Sequence, residues 1–111
     1  MITTSYFASR KWKEEDGVSI ALFAPKGYKG KTYPPLFPTP HLLRDYKAGR
    51  INTKQYIAIY YRETLNILDP AQVAKDLEGK TLLCYERSGS FCHRNLVAQW
   101  LRTNGYTVQE L

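Results

Sequence analysis

Cys92, His93 and Arg94 place a thiol, an imidazole and a guanidinium side by side, a short turn beyond a second thiol at Cys84. The run Thr81-Leu82-Leu83-Cys84-Tyr85 before them is apolar and strand-like, and Glu86 closes it. The turn Arg87-Ser88-Gly89-Ser90 then feeds a helix that opens at Cys92. A thiol at a helix start beside cationic groups tends to ionise readily, which is the setting of a nucleophile. Glu86 and His93 are the residue types for proton transfer. Arg94 offers a fork for an anion, and Ser88, Ser90 and the unpaired N–H groups of the first helical turn offer further donors. The expected site is therefore a phosphate or nucleotide pocket at 84–94, with Cys92, Glu86 and His93 as candidate catalytic groups.

Spacing excludes several familiar chemistries. There is no GxxxxGK[ST] and no GxGxxG, so the common triphosphate and dinucleotide modes are unsupported. The Cys-x5-Arg phosphatase loop does not fit either: that spacing from Cys84 leads to Ser90, and Arg94 follows Cys92 too closely. Cys84, Cys92, His93 and His41 exhaust the Cys and His residues, and adjacent ligands rarely reach one tetrahedral zinc, so no metal and no cofactor are expected. Two cysteines make no disulfide framework, and a Cys84–Cys92 bridge is disfavoured in a reducing compartment. Structural roles stay open beside the chemical ones. Cys84 reads as a small buried hydrophobe, Glu86 as a partner for Arg94 or another base, His93 as a capping or surface group, and Arg94 as half of a salt bridge.

These residues need elements to position them. Ile2 to Phe7 alternates polar and apolar residues, a first strand, and Val18 to Ala24 reads as a buried second one. Between them, Arg10 to Gly17 is too short and charged for a crossover helix. Residues 25–38 hold four prolines and two glycines, excluding helix and central strand and predicting a long ordered loop. Helices are predicted from Thr39 to Ala48, from an Asn52 cap with Gln55 in a capping box to about Leu68, and from Asp69-Pro70 to Leu77. Ile57, Tyr60, Tyr61, Leu65 and Leu68 form the middle helix's expected apolar stripe. Lys80 to Glu86 is the third strand, Cys92 to Thr103 the last helix, and Tyr106 to Leu111 a final strand. The order predicts a single α/β domain over 1–111: three layers, with a largely parallel sheet of about four strands flanked by helices.

In such sheets ligands bind beyond the carboxyl ends of the strands. Those ends gather Ser5, Tyr6, Ser9, Lys26, Tyr28, Lys29, Glu86, Arg87, Cys92, His93 and Arg94. Tyr6, Lys26, Tyr28 and Lys29 thus join Arg94, Ser88 and Ser90 as expected anion-binding residues, provided the Pro25 loop lies beside the helix start.

Composition narrows the partner. The chain has 111 residues, 43% of them hydrophobic and 23% charged, ordinary for a folded domain. No apolar run is long enough to span a bilayer and no signal peptide is visible, so a cytoplasmic protein without a membrane partner is expected. Residues 10–54 carry the whole net charge of +6, while the remainder balances. A basic half suggests a phosphate-containing small molecule or a nucleic acid. Two other function classes compete with the pocket. A single-strand-binding module would use the cations and rings of Lys26-Gly27-Tyr28-Lys29-Gly30-Lys31-Thr32-Tyr33. An inhibitor-like protein-interaction module would use exposed aromatics. Oligomeric state is not legible.

The segments TSYFAS at 4–9, VSIALFAPKGYKG at 18–30, LFPTPHLL at 36–43, QYIAIYYRETL at 55–65 and LLCYERSGSFCHRNLVAQWL at 82–101 closely resemble domain-of-unknown-function family 488, in its short subclade. The resemblance spans nearly the whole chain. It implies a compact α/β fold with Cys84, Glu86, Cys92, His93 and Arg94 as signature positions and Tyr6 and Lys26 near them. It implies no particular reaction. The chain departs from longer members in lacking a full helix between the first two strands.

Overall fold

The structure is a computed structural model that describes residues 1–87 and 89–111; Ser88, one of the expected anion-binding residues, lies outside the described residues. Within these, strands β1 (Ile2–Tyr6), β2 (Gly17–Ser19), β3 (Lys31–Thr32), β4 (Thr81–Cys84) and β5 (Val108–Glu110) form one sheet in the order β3-β2-β4-β1-β5. Every pairing is parallel. The sheet has one strand more than the sequence suggests, because two residues of the Pro-rich loop pair at its edge. There the prolines on either side cost the ladder nothing.

Helices α1 (Pro40–Lys47), α2 (Thr53–Glu63), α3 (Pro70–Asp76) and α4 (His93–Thr103) flank the sheet. Local chemistry explains their starts. Thr39 and Asp69 cap α1 and α3 ahead of a proline, and Asn52 and Gln55 exchange both bonds of a capping box on α2. The helix predicted to reach Leu68 ends at Glu63, with a 3-10 turn at Leu65–Ile67. Its buried face runs through Tyr56 and Tyr60, whereas Ile57 and Tyr61 are half-buried.

Register shows how the layers divide. Val18 and Thr4 both flank Leu82, and Val108 flanks Ile2, so these side chains share one face. Ile2, Val18, Leu82 and Val108 join Tyr56, Tyr60, Val73, Val97 and Leu101 of the helices in one core. Leu83 points to the other face, where its side chain and that of Trp12 both crowd Gly17. Trp12 lies so close to the sheet that a Cβ at Gly17 would sit 2.6 Å from its ring, and its Nε1 donates to Tyr6 O at 3.1 Å. The segment between β1 and β2, with a 3-10 turn at Glu14–Asp16, thus lies against this face through one indole.

Strand β2 is shorter than its apolar sequence suggests. After Ser19 the backbone gives one more bond, Ile20 N to Leu83 O, and then bends away, leaving Phe23 67% exposed. That departure opens the space at the carboxyl edge. Among the described residues, no helix is long and apolar enough to cross a membrane.

Candidate functional site

A cavity of about 390 Å³ opens at the carboxyl ends of β2 and β4. Ala21, Leu22 and Phe23 wall one side, Cys84, Tyr85 and Glu86 the next, and Phe91, Cys92 and His93 the start of α4. Pro38, Leu43, Tyr46, Lys47 and Tyr56 close it from the helical layer. The rings are mutually braced. Phe91 meets Tyr46 and Tyr56 edge-on at 5.9 and 5.4 Å, and Tyr46 meets Tyr56 at 5.0 Å. The Tyr85 hydroxyl donates to Phe23 O, and the Tyr46 hydroxyl pairs with Thr53 at 2.8 Å. Burial, reinforced by neighbouring Tyr46, pushes the Tyr56 phenol upward, so it stays protonated.

The turn into α4 is shaped by Gly89, whose φ of +92° a side chain would strain. Ser90 N donates to Arg87 O, and Asn95 donates from its side chain to Ser90 O. Ser90 itself is exposed and does not line the cavity. Cys92 is the cap residue of α4, with extended backbone at φ −150° and ψ 150°.

Cys84 and Cys92 are joined as a disulfide. This corrects the expectation that they stay apart: Cys84 ends β4, and the turn returns the chain directly over it. With its sulfur bonded, Cys92 carries no thiolate in this form. His93 is buried against the pair. Its Nε2 donates to Ile20 O at 2.7 Å, and its Nδ1 lies 3.3 Å from Cys84 Sγ. Desolvation, helped by the charge of Arg94 and opposed by the Ile20 carbonyl, lowers its pKa to about 4. The ring is therefore neutral, its single proton sits on Nε2, and Nδ1 presents a lone pair to the sulfur. A surface or capping histidine is not what this position holds.

Arg94 is the largest departure. It is fully buried, and its Nε and Nη2 donate to the two oxygens of Glu110 at 3.1 and 2.9 Å. Nη1 donates to Glu86 O at 2.6 Å, and the guanidinium lies 6.0 Å from the centre of the Tyr6 ring. The fork expected to hold a ligand's anion holds the last strand to the β4 turn instead. Glu86 takes part through its carbonyl, which leaves the exposed side chain at the cavity.

The Pro25 loop also lies elsewhere. Tyr28 and Lys29 line a separate cleft with Ser9, Trp12 and Glu14, and exposed Lys26 lines neither space. Tyr28 is held there by its hydroxyl, which donates to Lys31 O at 2.7 Å, and by an edge contact with Phe7 at 5.3 Å. Of the expected residues, the cavity brings together Glu86, Cys92 and His93. It adds Tyr46, Lys47, Tyr56, Tyr85 and Phe91, which sequence reading assigned to packing or left aside. For Tyr46 and Tyr56 the signal was the aromatic density of α1 and α2, indistinguishable without a fold from core.

Fold and site together define a small parallel α/β protein with an aromatic-walled cavity and a cysteine pair at the carboxyl edge of its sheet. The chain belongs to the family described as the active DUF488-N3 subclade, whose profile matches residues 2–105. No curated protein and no solved structure matches it significantly.

Proposed function

We propose that this protein binds a nucleotide in the cavity at the ends of β2 and β4, with the base among the rings and the phosphate toward Lys47. The observation that carries this reading is the make-up of the walls: Tyr46, Tyr56, Tyr85 and Phe91 around a cavity of about 390 Å³, with Glu86 and Lys47 as its charged groups among the described residues. That volume falls in the range of small-molecule sites. Flat rings suit a flat ligand, since every base has a stackable face. A carboxylate suits an exocyclic amine, as it does in base recognition elsewhere. Glu86 is also the group placed to exchange a proton with whatever binds. Arg94 has no part in this reading, because it is fully buried outside the cavity lining and bonded to Glu110 and Glu86 O.

Calorimetric titration with nucleosides, nucleoside monophosphates and inorganic phosphate tests it. Binding of a base-containing ligand, weakened in Glu86→Gln and in Lys47→Ala while both variants melt like wild type, is expected. Both positions are exposed, so folding should survive the changes. Absence of binding at millimolar ligand, or affinity indifferent to both substitutions, overturns the reading. An oligonucleotide that binds where every mononucleotide fails would move the function to an extended surface.

A further inference from the structure

We propose that the reduced protein holds one Zn²⁺ through Cys84 Sγ, Cys92 Sγ and His93 Nδ1, leaving a fourth coordination position open to the cavity. The three donor atoms lie within 4.8 Å of one another, and all three residues are buried. A tetrahedral zinc, with Zn–S near 2.3 Å and Zn–N near 2.0–2.1 Å, sets its donors about 3.5–3.8 Å apart. His93 Nδ1 and Cys84 Sγ, at 3.3 Å, are already close to such an edge.

The objection from sequence, that neighbouring residues rarely serve one ion, is met by the backbone. Cys92 is the extended cap and His93 the first helical residue, so the chain changes conformation between them and both side chains converge on Cys84. The imidazole is prepared for the part as well. The Ile20 carbonyl, 2.7 Å from Nε2, accepts a hydrogen bond from the Nε2 N–H and fixes the tautomer in which Nδ1 keeps its lone pair for a metal. A backbone carbonyl behind the distal nitrogen is the usual support of a metal-bound histidine. Soft thiolates with imidazole favour zinc over the hard cations.

Charge and electrons balance. A dithiol reductant exchanges with the Cys84–Cys92 disulfide and ends as its own disulfide, leaving two thiols. Zn²⁺ replaces the two thiol protons, which pass to solvent, and the resulting unit of one dication, two thiolates and a neutral imidazole carries no net charge. A neutral complex is what a buried site tolerates, because isolated charge there is costly. With three protein ligands and the cavity beyond, the ion would keep an open position, the arrangement of reactive zinc rather than of a closed structural site. This inference stands independently of the nucleotide reading.

The test uses full-length protein reduced with a dithiol, freed of it without oxygen, and titrated with Zn²⁺ against a chromophoric chelator. One equivalent per chain is expected, together with shielding of both cysteines from alkylation. With Co²⁺, tetrahedral d–d bands and a thiolate charge-transfer band are expected. Cys84→Ser/Cys92→Ser should lose all of these signals, and His93→Gln should lose the one-to-one binding. The alkylation readout needs no variant, so it decides the matter even where His93→Gln fails to fold. Zinc binding that survives in the double cysteine variant, or equals that of the oxidised protein, overturns the proposal, as does reduced wild type with unshielded cysteines. Exposed His41, 3.0 Å from Glu63, is the place such adventitious binding would arise.

Discussion

Arg94 and Glu110 meet through two hydrogen bonds, Nε to Oε1 at 3.1 Å and Nη2 to Oε2 at 2.9 Å, with the guanidinium wholly buried. Thr4 Oγ1 adds a third contact to the same carboxylate at 2.6 Å. The pair fastens β5 to β1 and, through Nη1 on Glu86 O, to the turn at the cavity. Removing one partner strands a buried charge, at about 3–5 kcal/mol. Glu110→Gln and Arg94→Ala should each lower unfolding free energy by that order in urea titrations. Arg94→Lys should not restore it, because an ammonium cannot reproduce the fork. Equal stability of wild type and Glu110→Gln would show that the pair contributes little.

This ion pair also shows where sequence reading stops. Capping at Thr39, Asn52 and Asp69 is local chemistry, so helix starts were legible within a residue or two. Parallel topology pointed to the carboxyl ends of the strands, and a cavity lined in part by Glu86, Cys92 and His93 opens there. Arg94 and Glu110 are distant in sequence, and only the register of Thr4 against Glu110 brings the carboxylate beneath α4. A periodic pattern carries no information about such a meeting. The same holds for Lys26 and Lys29: their loop is a strand-end loop, but the bend after Ile20 sends it away from the cavity.

The disulfide should stabilise the zinc-free protein. It closes a loop across a separation of 8 residues, and loss of chain entropy in the unfolded state is worth about 2–3 kcal/mol for so short a loop. With a chelator present, reduction should lower stability by that amount, and Cys92→Ser should show the same deficit without responding to reductant. Reduced and oxidised protein melting together under these conditions would count against a bonded pair in solution.

His93 makes stability depend on pH in a defined window. Its folded pKa, about 4, lies below the ordinary value of 6.5, so between them the unfolded chain binds more protons and unfolding gains ground. Stability should be full above pH 6.5 and fall as pH drops toward 4, by roughly 3 kcal/mol for this group. Urea titrations of oxidised wild type and His93→Gln across that range isolate the contribution. Parallel curves for the two proteins would mean that His93 takes up a proton in the folded state as readily as outside it.

Two buried hydroxyls should respond to deletion in opposite directions. Tyr60 Oη donates to Leu36 O at 2.7 Å inside the core, and its ring packs edge-on against His93 at 5.5 Å. Tyr60→Phe keeps the ring but strands that carbonyl, a loss of about 1–2 kcal/mol. Ser5 Oγ, on the Trp12 side of the sheet, is buried without a hydrogen-bond partner among the described residues. Its desolvation is therefore uncompensated, and Ser5→Ala should leave stability unchanged or raise it by up to about 1 kcal/mol. Thermal and urea unfolding of the two variants reads both signs at once. A marked loss in Ser5→Ala would mean that its hydroxyl is hydrogen-bonded in solution, for instance to a buried water.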